Sequence, residues 1–216
     1  RSPLLRERIP MGHHRHENHG NPDDLDAYIR LMEEPGRADW QRPDEVVRAL
    51  GLEPGATVAD VGAGPGYFTL RLARAVGAAG QVFAVDVVPE MVAALRERID
   101  RAGIGNVTPV LARGGDPLLP AASCDVVLVV DTFHHFPDGP GYLRTLARKL
   151  RPGGRLVNVD FHKRETPVGP PVEHRVSREE FLEAAHAADL DVVEEKDFLP
   201  YQYFLALAPR AAGVTR

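Results

Sequence analysis

From position 57 onward the apolar residues fall into short runs separated by stretches with helical spacing. TVADV (57–61), QVFAV (81–85), DVVLVV (125–130) and RLVNV (155–159) are nearly continuous in Val and other apolar residues, as strands covered on both faces must be. NVTPVLA (106–112) is a weaker strand, and its Pro109 suits an edge or a bulge because proline has no N–H to give to a ladder. Between the runs, Phe68, Leu72, Ala75 and Val76 form one helical stripe, and Val92, Leu95 and Ile99 form a second behind Pro89. Leu143, Leu146, Ala147 and Leu150 form a third, stopped by the RPGG at 151–154. Strands and helices alternating in this way predict a doubly wound α/β domain with a mostly parallel sheet and helices on both faces.

The two ends of the chain depart from that alternation. Ser177-Arg178-Glu179-Glu180 is a capping box that opens a helix with Phe181, Leu182 and Ala185 inward. DVVEEK (191–196) and YQYFLALA (201–208) follow too closely for a parallel crossover, so they are expected to pair as a hairpin and leave a reversed strand at the end of the sheet. Near the N-terminus, Asp23 to Glu33 predicts a helix with Leu25, Tyr28, Ile29 and Met32 on one side, and Pro43 starts another with Val46, Val47 and Leu50 inward. Residues 1–22 read as a flexible arm. Its segment MGHHRHENHGNP (11–22) has no period, and His13, His14, His16 and His19 there suit a tag or a solvated tail better than a metal site; no metal is expected.

Composition narrows the functional classes. The 216 residues are 44% hydrophobic, enough for a proper core, and the formal charge of −5 offers no basic field for nucleic acid. Cys124, the only cysteine, excludes an internal disulfide and sits where a structural thiol is expected. No apolar run is long enough for a membrane span, and the N-terminus lacks the apolar core of a signal peptide. The expectation is a cytoplasmic protein, monomer or homodimer, with a small-molecule substrate and neither nucleic acid nor membrane as partner.

The most informative stretch is VADVGAGPGYFTLRLA (58–73). Asp60 ends a strand, and Gly62, Gly64 and Gly66 follow at alternate positions before a helix, where missing Cβ atoms allow a tight turn and close approach of a ligand. Twenty residues beyond Gly66, the second strand ends in Asp86, placed to hold the two ribose hydroxyls of a nucleoside-containing cofactor. A nicotinamide or flavin fingerprint would need its third glycine where Tyr67 stands. The pattern D-x-G-x-G-x-G instead resembles motif I of the class I S-adenosylmethionine-dependent methyltransferases. FAVDVVPEM (83–91), GGDPLLPAASCDVVLVVDTFHH (114–135) and LRPGGRLVNVDF (150–161) resemble that family's later motifs.

The resemblance implies a Rossmann-like, seven-stranded sheet with an antiparallel C-terminal strand, S-adenosyl-L-methionine as cofactor and S-adenosyl-L-homocysteine as product. It implies that Asp60 orients the methionine amino group, that Gly62, Gly64 and Gly66 line the loop, and that Asp86 binds the ribose. Val87 would touch the adenine, Asp116 would sit near the adenine amino group, and Asp131 would close the methionine end. The segment GDPLLP is one residue shorter before its Leu-Pro than in many relatives, which makes the adenine contact of Asp116 less secure than the ribose contact of Asp86. On this reading residues 23–50 form a lid of helices and residues 51–210 the cofactor-binding domain.

Ligands of such sheets bind beyond the carboxyl ends of the strands, which is where DTFHHFPD (131–138) falls. Methyl transfer needs alignment of nucleophile and methyl and, for a hydroxyl or amine, removal of a proton; His134 and His135 are the candidate bases, with His162 behind them. Read as an extended segment, the loop sends the two rings to opposite sides, so they are not expected to share a task. Trp40, Gln41, Tyr201 and Tyr203 are candidate substrate contacts. Two functions remain open: methyl transfer to an O, N or C atom of a small molecule, or a non-catalytic module that binds the cofactor or its product. An arsenic-type methyltransferase would need several cysteines. A nucleic-acid base methyltransferase would show an Asn/Asp-Pro-Pro-aromatic signature, which is absent.

Overall fold

The computed structural model describes residues 25–210, so the arm expected over residues 1–22 lies outside the described residues. Three short helices, α1 (Leu25–Met32), α2 (Arg37–Gln41) and α3 (Pro43–Ala49), precede the sheet. Then come β1 (Thr57–Val61), α4 (Thr69–Val76), β2 (Gln81–Asp86), α5 (Pro89–Ala102), β3 (Val107–Leu111) and β4 (Cys124–Val130). The chain continues through α6 (Gly139–Ala147), β5 (Leu150–Phe161), α7 (Arg178–Ala187), β6 (Leu190–Lys196) and β7 (Gln202–Pro209).

The seven strands lie in the order β3-β2-β1-β4-β5-β7-β6. Pairings from β3 through β5 are parallel, and β7 runs antiparallel to both neighbours. The doubly wound, mostly parallel expectation therefore holds. Because alternate strand residues face opposite sides, the Val-rich runs feed two cores. Ala59, Val61, Val127 and Val129 pack with Leu143 of α6 and Phe181 of α7, while Val58, Val126, Leu128 and Val157 pack with Leu50 and with Leu72 of α4. Each fully buried Leu or Phe contributes about 1.5–3 kcal/mol over an exposed one, which explains why these strands tolerate almost no polar residue.

Several local expectations are met. Pro109 sits on the edge strand β3, and Pro89 and Pro43 occupy first turns of helices. Ser177 and Glu180 form the reciprocal capping box. Cys124 is fully buried, and burial pushes its thiol up, as a structural thiol requires.

Two expectations need correction, and one further helix appears. The Pro-Gly-Gly of 152–154 does not precede a strand but lies inside β5, where a register shift between Cys124 and Val126 on β4 absorbs the irregularity. The reversed strand is not at the end of the sheet: β7 inserts beside β5, and β6 becomes the edge. Residues 37–41 form a separate short helix, followed by Arg42 in the left-handed region.

Candidate functional site

Four carboxylates gather at the carboxyl ends of β1, β2, β4 and β5. The first two are tied together by the glycine loop. Gly62 has φ +76, and a Cβ there would stand 2.3 Å from Thr132 Cγ2; Gly66 has φ +94, and its Cβ would stand 2.4 Å from Leu95 Cδ1. Any side chain would push the loop off its neighbours, so the turn requires glycine. Within the loop the Gly64 N–H donates to Asp86 Oδ2 at 2.8 Å, and the Val88 N–H donates to Asp86 Oδ1 at 3.0 Å. A carboxylate offers about four lone-pair sites, so Asp86 keeps accepting capacity for a further donor. Asp60, one turn of chain earlier, is buried and accepts the Thr69 hydroxyl at 2.6 Å. Burial raises its carboxyl to about 6, against that hydroxyl bond, which favours the ionised form.

The other two acids meet the N-terminal helices. Asp131 follows β4 with φ +49, a conformation disfavoured for a residue with a side chain. Its Oδ2 accepts from Gln41 Nε2 at 2.9 Å and its Oδ1 from Gln202 Nε2 at 2.6 Å. Gln41 in turn accepts from Arg37, whose guanidinium also donates to the Met32 carbonyl at 2.7 Å and lies 4.1 Å over the Tyr67 ring. Helix α2 is thus latched to β4 and β7 through buried polar groups. Burial, and then the adjacent Asp160 charge, raise Asp131 to about 7, while Arg37 and the two amides work in the opposite direction. Asp160 near the end of β5 is fully buried and accepts the Phe161 N–H at 2.8 Å.

The histidines are not placed as an extended segment would place them. Phe133–His135 is a single turn of 3-10 helix, and the two imidazoles lie on the same side, with centroids 4.0 Å apart. The expectation of opposite sides fails because a 3-10 turn rotates successive side chains by about a third of a circle rather than a half. His134 is largely buried against Asp160, with Nδ1 3.9 Å from Oδ2, while His135 is exposed. His162 begins the loop after β5, its ring 5.7 Å from that of Tyr203; burial, then the Arg164 charge, hold its imidazole below the usual range. Among the described residues no group of three or more His, Cys, Asp or Glu is placed to hold a metal ion.

The remaining candidates scatter more widely. Val87 is exposed beside Asp86. Asp116 sits in an exposed turn, accepting the Leu118 N–H at 2.9 Å, with Lys149 4.0 Å away. Trp40 is half-buried, its ring 5.2 Å from that of Phe161. Tyr201 is half-buried and its carbonyl accepts the His162 N–H. Tyr203 is packed into the core beside Phe181, its hydroxyl donating to the Val176 carbonyl at 3.4 Å, so it sits in the packing and not on an accessible wall.

The sequence puts Asp160 and Gln202 at the ligand end of the sheet without assigning either a role, and it does not point to Arg175. Gln202 carried a signal: it is the one amide in an otherwise apolar strand. Arg175 carried none; it is buried, stacks 4.8 Å over Phe161, and donates to the carbonyls of His162, Arg164, Val168 and Pro170, folding the loop after β5 around itself.

Residues 58–154 match the family model described as a methyltransferase domain. A solved S-adenosylmethionine-dependent methyltransferase from Aquifex aeolicus superposes with a TM-score of 0.80 at 29% identity, over 84% of this chain and 96% of that one. Residues 58–154 thus match a methyltransferase domain, within a fold similar to that S-adenosylmethionine-dependent methyltransferase. The domain is also similar to a nocamycin O-methyltransferase of Saccharothrix syringae, 39% identical over 118 residues, which are 55% of this chain and 40% of that protein. A ubiquinone/menaquinone biosynthesis C-methyltransferase of Vibrio vulnificus is 33% identical over 134 residues, 62% of this chain and 50% of its own length. The chain therefore spans half or less of these two relatives. Among the described residues, no helix of the methyltransferase domain is long and apolar enough to cross a membrane.

Proposed function

We propose that the domain binds S-adenosyl-L-methionine across the carboxyl ends of β1, β2 and β4 and uses it to methylate an O, N or C atom of a small molecule. The observation that carries this reading is Asp86. Its carboxylate is fixed by the backbone of the glycine loop at 2.8 Å and keeps accepting capacity at the end of β2, where a ribose hydroxyl would lie. Gly62 and Gly66 hold the loop close against Thr132 and Leu95, since a Cβ at either would collide with the protein. When bound, the cofactor supplies an electrophilic methyl carbon on a cationic sulfonium. Asp60 and Asp131 are the buried acids placed to face that cationic end, while Val87 lies beside Asp86 for the base.

On the acceptor side, the histidine pair at 134 and 135 supplies the base for a hydroxyl or amine, and Trp40 and Gln41 on α2 bring the N-terminal helices over the site as a lid. One similar protein is named as an O-methyltransferase and another as a C-methyltransferase, so their names give no single acceptor atom.

Calorimetry tests the cofactor half of the proposal. S-adenosyl-L-methionine should bind saturably, and Asp86→Ala should weaken it by about 2–3 kcal/mol, on the order of a hundredfold, since the ribose bond to a charged acceptor is lost. Unchanged affinity in Asp86→Ala would sink the ribose assignment. Turnover tests the other half: release of S-adenosyl-L-homocysteine across a panel of phenols, amines and quinones separates an enzyme from a module that only binds the cofactor.

A further inference from the structure

Two buried polar atoms face each other here with no hydrogen-bond partner: His134 Nδ1 and Asp160 Oδ2, 3.9 Å apart. Leaving a buried polar atom unpaired costs about 1–3 kcal/mol, so two such atoms turned toward one another point to a paired arrangement that the fold holds nearly closed. The backbone on each side is fixed. Asp160 is held by the Phe161 N–H on its other oxygen, and the His134 turn is closed by the His135 N–H to the Thr132 carbonyl at 2.9 Å and the Phe136 N–H to the Phe133 carbonyl at 3.0 Å. A modest rotation of the imidazole brings Nδ1–H onto Oδ2. Because Nδ1 has no accessible surface, the 13% of the His134 side chain that is exposed lies on its other atoms.

We infer that His134 is the proton acceptor of the pair at 134 and 135, and that Asp160 is its positioning residue, accepting Nδ1–H so that Nε2 presents its lone pair to the acceptor. This rests on the methyl-transfer reading for its chemistry. The acceptor's O–H or N–H proton moves to Nε2, the freed electron pair forms the bond to the methyl carbon, and the methyl–sulfur pair stays on sulfur. The resulting imidazolium faces the Asp160 carboxylate, which a ring lacking that partner would not have. Asp131 lies beside Asp160, the cation of Arg175 in the loop after β5 interacts with both acids, and that of Arg37 on α2 acts on Asp131. The exposed His135 lies against the His134 ring, ring centroids 4.0 Å apart and the planes tilted by 44°.

The test reads the proton directly and needs neither cofactor nor acceptor. Nitrogen NMR of the histidine-labelled full chain, with the His134 signal assigned by its loss in His134→Gln, distinguishes the two neutral tautomers. The expected result is Nδ1 protonated and Nε2 bare in the wild type, a switch to Nε2–H in Asp160→Ala, and the wild-type pattern in Asp160→Asn, whose amide oxygen can still accept. Protonated Nε2 in the neutral wild-type ring, or an unchanged tautomer in Asp160→Ala, overturns the assignment, and the wild-type spectrum decides alone if the variants do not fold. Turnover at saturating cofactor should fall tenfold or more in Asp160→Ala. Absence of cofactor binding in the wild type would instead remove the methyl-transfer reading and leave the tautomer result standing.

Discussion

At Asp131 the fold holds a carboxyl in a left-handed backbone conformation, buried, beside a second buried carboxyl. Its folded value of about 7 lies above the unfolded value near 4, so the folded protein binds that proton more tightly than the unfolded chain does. The sign follows: the contribution to stability is fully present below about pH 4 and is lost as pH rises toward 7. Asp60, raised to about 6, acts in the same sense over a narrower window. Asn at position 131 cannot ionise and keeps an oxygen for one of the two amide donors. Asp131→Asn should therefore gain stability relative to the wild type as the pH is raised from about 5 to about 8, measured by chemical denaturation at each pH. A difference that stays constant across that range would show that Asp131 is already ionised in the free protein.

At the scale of elements, legibility followed the strength of the local signal. β1, β2 and β4 were readable because a strand buried on both faces leaves no choice of residue type, and α7 because a capping box is a chemical signature. The RPGG of 151–154 was read as a stop because proline and glycine usually punctuate; only the bulge opposite Cys124 and Val126 lets β5 run through it, and a bulge belongs to the pair of strands. The turn at 133–135 was misread for a related reason, since three residues cannot show a period. Helix α2 is five residues long and owes its place to Gln41, which is fully buried and joins Asp131 and Gln202, residues 90 and 161 positions away. Such a contact has no local signal. Gln41→Ala should cost about 2–3 kcal/mol by leaving buried acceptors unpaired, and hydrogen exchange should show the loss of protection concentrated in α2 and α3. Equal loosening across the sheet would mean that Gln41 supports the core and not the latch.

For the molecule as a whole, the sheet order brings four acids to one end, and a cation bound there would act on Asp60 and Asp131 together. Asp60 and Asp131 are raised chiefly by burial, and the proposed sulfonium and ammonium of the cofactor would restore to them what burial removes, favouring the ionised form. Binding should then expel protons between about pH 5 and 7. By linkage, affinity for S-adenosyl-L-methionine must rise with pH across that window, by up to about tenfold per pH unit for each proton released, and level off above it. Titration calorimetry in buffers of different ionisation enthalpy counts those protons. S-adenosyl-L-homocysteine, which lacks the sulfonium charge, should expel fewer, so the two ligands' affinities should diverge as the pH rises. The same ligands should stabilise the fold by about 2.7 kcal/mol at a hundredfold excess over Kd, with an upward shift in Tm of several degrees. Proton uptake on binding, or identical pH dependence for the two ligands, would mean that the sulfonium does not lie against Asp60 and Asp131. The cationic end of the cofactor would then have to face a different part of the site, even if Asp86 still held the ribose.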